Sequence, residues 1–195
     1  MAIISSRPSV ALVKTRWRKK GAPRTLADCA TVIGANVWKI ALEIFRHMEK
    51  EAFRFGSDRL VTEVMAEFIA FLVQLVDRAL YRRLSDADRA TLVSGTVRHL
   101  AATMENNQRD LLGPGEYRKP FIDLLNARFE EYAGFEYRDG EPGFPCVRCF
   151  AARVSDAMAA SGNRWVIEQI MDIEAPEMVR LIRKLVDQAT PAGTS

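Results

Sequence analysis

Cysteine is scarce in this chain, three among 195 residues, and histidine scarcer still, with two. Three cysteines do not make the disulfide framework of a secreted domain, so the expected compartment is a reducing cytoplasm. Glu43 and His47 stand four apart rather than the three a di-iron carboxylate bundle uses, and no histidine follows Glu63 or Glu67. Long uninterrupted apolar runs are also missing. The most apolar stretch, LVTEVMAEFIAFLVQLVDRAL, is broken by Glu63, Glu67, Gln74 and Asp77, which excludes a lipid-spanning helix. The opening MAIISSRPSVALVK carries Arg7 and Pro8 inside its apolar part and does not read as a secretory signal. Sustained strand alternation and internal repeats are absent.

Acidic residues are lacking from one region only. Residues 1–24 hold seven Lys and Arg and no acid, and the chain totals of 28 basic and 25 acidic groups leave 21 against 25, or −4, for the rest. The chain is therefore a basic arm on a mildly acidic body. Lys14, Arg16, Trp17, Arg18, Lys19, Lys20 and Arg24 form its dense part, suited to phosphate on nucleic acid or an anionic surface. No reading motif accompanies it. Residues 25–53 read as one unbroken helix where a helix-turn-helix would need a turn, and the acidic SDAD at 85–88 suits phosphate badly.

What is present is helical periodicity. Thr25 and Asp28 have capping-box spacing, followed by Val37, Ile40, Ile44 and Met48 on one stripe. Ser57 opens a second helix, about 57–83, whose polar residues fall in one narrow strip, which makes it the expected centre of the fold. Ser85 and Asp88 repeat the cap before a third helix, about 86–112, ended by Gly113-Pro114-Gly115. A fourth is expected at about 117–133 and a fifth at about 145–160. Asn163 is placed as the cap of a sixth, and Pro176 as the first residue of a seventh. The expectation is an all-α bundle of six to seven helices over residues 25–190, with 1–24 a partly flexible arm and 191–195 a frayed tail.

Two features invite chemistry. Cys146-x-x-Cys149 opens the fifth helix, where first-turn amides and the helix dipole favour a thiolate, Cys149 is placed to resolve a disulfide, and Arg153 adds positive charge. The pair resembles that of alkylhydroperoxidase-like proteins related to carboxymuconolactone decarboxylases. Their motif places a proton-relay histidine four residues after the second cysteine, where this chain has Arg153. The resemblance implies thiol-disulfide or peroxide chemistry and is confined to the pair. Helical phasing puts Cys149 nearly opposite the apolar stripe of Val147, Phe150, Ala151, Val154 and Met158, and Cys146 at its edge, on a face where a second helix or subunit approaches closely. Zinc would need two more ligands, and Cys29, His47 and His99 are distant, so neither metal nor cofactor is expected.

The second feature is the aromatic group around the loop GFEYRDGEPGFP. Tyr132, Phe135, Tyr137 and Phe144 are candidates for a pocket wall, or else pin the loop as a satellite core. Glu63 and Glu67, on a mostly buried helix, must face a cleft, a partner or a cation. The leading expectation is a non-catalytic cytoplasmic binding or assembly protein that self-associates as a dimer. The alternatives are a redox protein using Cys146 and Cys149, and anionic binding through the arm.

Overall fold

Thr25 starts the first helix by a reciprocal cap. Its hydroxyl accepts the Asp28 amide at 3.1 Å, and the Asp28 carboxylate accepts the Thr25 amide at 3.2 Å. Two first-turn donors that have no partner inside the helix are satisfied together. From this cap α1 runs Leu26–Lys50. In this computed structural model, which describes residues 25–81 and 83–189, Ser57 and Ser85 cap α2 (Asp58–Leu80) and α3 (Asp86–Leu112) by accepting the Leu60 and Asp88 amides. After α4 (Arg118–Ala133) and α5 (Phe144–Ala157) comes a C-terminal run of α6 (Val166–Gln169), a π-helical stretch (Ile170–Glu174) and α7 (Ala175–Ala189). The chain is an all-α bundle, with six helices among the described residues if that run is counted as one. The arm residues Lys14 to Arg24 and the tail 191–195 lie outside the described residues.

Helix α2 is the axis. It packs against α1, α3, α4, α5 and α7, and Val64, Phe68, Ile69, Phe71, Leu72 and Val73 are fully buried. Burial of each such side chain contributes about 1.5–3 kcal/mol. Its apolar circumference is thus covered within one chain and does not itself require a second copy. Helices α1 and α3 meet closely because both carry glycine at the crossing. A methyl at Gly95 would stand 2.8 Å from the Ala30 Cβ, and one at Gly34 would stand 2.8 Å from the His99 ring. At this spacing the Thr96 hydroxyl reaches the Ala30 carbonyl oxygen of the facing helix at 3.4 Å.

Three local expectations need correction. The loop between α4 and α5 contains a short antiparallel hairpin, β1 (Tyr137–Arg138) with β2 (Glu141–Pro142), Tyr137 opposite Pro142 and Arg138 opposite Glu141. Its turn is Asp139-Gly140, both at positive φ (51° and 80°), as a two-residue hairpin connection requires. Pro176 does not begin a helix but lies second in α7, inside the continuous run. Proline lacks an N–H and crowds the preceding turn, and the widened π turn directly before it takes up that misfit. Asn163 caps nothing. Its amide pairs in both directions with the backbone of Arg54, accepting the N–H at 2.9 Å and donating to the carbonyl at 2.6 Å. That clamp ties the α1–α2 loop to the segment before α6, and Trp165 rather than Asn163 precedes α6.

Candidate functional site

The cysteine pair sits inside a polar seam between α2, α4 and α5. Cys146 is fully buried, a correction to its expected place at the edge of the stripe. Phasing assumed that α5 is covered on one side only, whereas hairpin residue Tyr137 covers the flank that carries Cys146. The Tyr137 hydroxyl lies 3.2 Å from the Cys146 sulfur. Cys149 is half-buried beside Glu131 of α4. No disulfide joins the cysteines among the described residues. Burial pushes the Cys146 thiol up, and burial together with the Glu131 carboxylate pushes Cys149 up to about 11. Both shifts oppose the thiolate that thiol-disulfide chemistry uses. Arg153 opposes the shift at Cys149 without outweighing it, and Glu131 holds it through both Nε and a terminal nitrogen.

Glu131 is one link in a longer chain of ions. Glu67 of α2 receives Arg128 of α4 in a bidentate pair, both bonds 2.7 Å, and Arg128 also reaches Glu131 at 3.4 Å. Glu67 is 4% exposed, so the cation it was expected to face is Arg128, while Glu63 points to solvent. The Arg153 guanidinium holds the Glu131 carboxyl below the usual carboxylate range, against the opposing effect of burial. Beside these ions the Tyr132 ring is fully buried edge-on to Phe71, which stacks on Phe150 with centroids 4.0 Å apart. Tyr132 is therefore core rather than pocket wall, and its buried hydroxyl has no hydrogen-bond partner. Phe144 is 65% exposed as the first residue of α5 and lines neither of the two clefts described here.

Phe135 and Tyr137, by contrast, do line a cleft. It has a volume of about 320 Å³ and lies between the C-terminal end of α2, the hairpin and α7. Tyr81, half exposed, completes its aromatic side, and Arg78, Arg83 and Arg183 are its cations. Two of the three are already occupied, Arg83 by Asp187 and Arg183 by Glu141 and the Asp139 carbonyl. Arg78 has no carboxylate partner among the described residues. Its guanidinium lies 4.7 Å from the centre of the Tyr137 ring, and its Nε is buried without a hydrogen-bond partner. The aromatic cluster is the only local sign of this cleft in the sequence, since its three arginines come from 78, 83 and 183 and meet only in the fold.

The two histidines are both accounted for by packing. His47 Nδ1 lies 2.7 Å from the Glu174 carboxylate in the π-helical stretch, which also accepts the Gln169 amide at 2.8 Å. His99 packs on Gly34, and burial pulls its pKa below the ordinary histidine value. Among the described residues no three His, Cys, Asp or Glu side chains gather as a metal site, and no helix is long and apolar enough to cross a membrane. Comparison of the chain with protein-family models, with curated proteins and with solved structures found no match.

Proposed function

We propose that this chain is a non-catalytic helical binding protein that takes a small organic anion with a flat apolar part in the cleft beside Arg78. One observation carries the reading. Arg78 presents a cation with a buried, unpartnered Nε against an aromatic face, and alone among the cleft's arginines it has no carboxylate partner among the described residues. A bound carboxylate or phosphate would satisfy it, and charge-assisted bonds of this kind contribute about 1.5–3 kcal/mol. Phe135, Tyr137 and Tyr81 supply walls for the apolar part. The cleft volume lies at the small end of the range typical of ligand sites.

Calorimetric titration with phenyl phosphate and benzoate tests the proposal. Binding is expected for wild type, with a loss of about tenfold or more in Arg78→Ala. Equal affinity in Arg78→Ala, or no heat with either probe at roughly millimolar concentration, refutes it. The same reading places the protein in the cytoplasm, which suits its three reduced cysteines. Self-association and contact between the basic arm and an anionic partner belong to it as separate proposals. Sedimentation equilibrium tests the first. Salt-sensitive binding that disappears when residues 1–24 are removed tests the second.

A further inference from the structure

Among the described residues, two of the three non-glycine residues with left-handed backbone, Ala52 at φ 66° and Trp165 at φ 63°, line a second cleft, as does Gly162 at φ 68°. The volume is about 390 Å³, between the α1–α2 loop and the segment leading into α6. A non-glycine residue in this region is strained and persists where the surroundings enforce it. Burial does not explain the strain at Trp165, because that side chain is 73% exposed. The enforcing contact is the Asn163 clamp on the Arg54 backbone, which fixes the two loops against each other and leaves the indole standing at the cleft wall.

The polar groups around that indole are of three kinds. Arg54 and Arg164 are exposed cations, and neither makes an ion pair among the described residues. Gln169 has its amide nitrogen held by the buried Glu174 at 2.8 Å, which leaves its carbonyl oxygen as an oriented acceptor. Glu51, on the rim, adds a carboxylate. A bare anion would have no use for the tryptophan, and a purely apolar ligand none for the arginines. A flat heterocycle joined through a hydroxylated sugar to a phosphate uses all of them.

We propose that this cleft binds a nucleoside monophosphate. The base stacks on the Trp165 indole with an exocyclic amino group toward the Gln169 carbonyl oxygen, the sugar hydroxyls face Glu51, and the phosphate lies between Arg54 and Arg164. The proposal is independent of the anion site at Arg78, which shares no residue with this cleft.

The test is titration of the full chain with AMP, read by tryptophan fluorescence and by calorimetry, with adenosine and inorganic phosphate as separate arms. AMP is expected to bind at least about tenfold more tightly than either fragment, since stacking and ion pairing act together. Trp165→Ala is expected to weaken AMP binding by about 5- to 150-fold, the loss of one stacked base, while Trp165→Phe retains most of it. Arg54→Ala combined with Arg164→Ala should lower AMP to the affinity of adenosine and flatten the salt dependence. AMP binding no better than phosphate, or wild-type affinity in Trp165→Ala, would each overturn the assignment.

Discussion

Breaking the ion pair between α2 and α4 should cost different amounts depending on which partner is removed. Glu67 and Arg128 are joined by two bonds of 2.7 Å, with side-chain exposures of 6% and 18%. Breaking a buried pair by deleting one member costs about 3–5 kcal/mol, chiefly because a charge is left behind without its partner. After Glu67→Ala the remaining cation keeps Glu131 at 3.4 Å and some access to water, so the expected cost is at the low end, about 3 kcal/mol. After Arg128→Ala the remaining carboxylate lies on the fully packed axis with no second cation among the described residues, and the cost should approach about 5 kcal/mol. At roughly 2–4 °C per kcal/mol for a domain of this size, the melting temperature should fall by about 6–12 °C and 10–20 °C respectively. Urea unfolding followed by far-ultraviolet circular dichroism at pH 7 measures both free energies. The double substitution should cost less than the two single losses together. If each single change costs under about 1 kcal/mol, or if Glu67→Ala proves the worse, the pair does not carry the buried charge balance argued here.

Two further outcomes follow from groups whose titration the fold alters. Burial against Gly34 lowers the His99 pKa below its ordinary 6.5. The unfolded chain therefore binds the proton more readily, and stability is full above about pH 6.5 and falls as the pH drops below it. Urea midpoints at pH 7.5 and 5.5 should diverge less in His99→Gln than in wild type, and an unchanged difference would remove His99 as the cause. Cys149, pushed up to about 11, should alkylate with iodoacetamide far more slowly at pH 8 than a free thiol, and Cys146 more slowly still behind its full burial. Rapid modification, or a Cys146–Cys149 disulfide under mild oxidant, would restore the redox reading.

What could be read from the chain was what its neighbours in sequence decide. Thr25, Ser57 and Ser85 declare helix starts because each cap is completed within three residues. The narrow polar strip of α2 likewise announces a helix surrounded by others. Asp139-Gly140 carried an equally local hairpin signal that the reading of residues 134–145 as plain loop passed over. Pro176 is ambiguous in principle, since the same residue suits a first helical turn and the position just after a widened one. Asn163 misled because its true partner, Arg54, is 109 residues away. The cysteine phasing failed for a related reason: a helical wheel states which residues share a face but not how many faces are covered. Of the first cleft only the aromatic wall of Phe135 and Tyr137 is legible in the sequence; its arginines, and the whole second cleft, come from distant segments.

The central place of α2 also sets a schedule for synthesis. Its apolar circumference is closed partly by α1 and α3, but the remaining sides wait for α4, α5 and α7. From the end of α2 at Leu80 to the end of α7 at Ala189 the ribosome must add roughly 110 residues, about 5–20 s at ordinary elongation rates. During that interval the most apolar segment of the protein is only half covered, while collapse of a short chain takes microseconds. The early α1–α2–α3 assembly, with its tight glycine crossing, is then what shelters the nascent chain. A chain slowed between α3 and α7 would meet chaperones, or other copies of itself, through the sides of α2 that α4, α5 and α7 later cover.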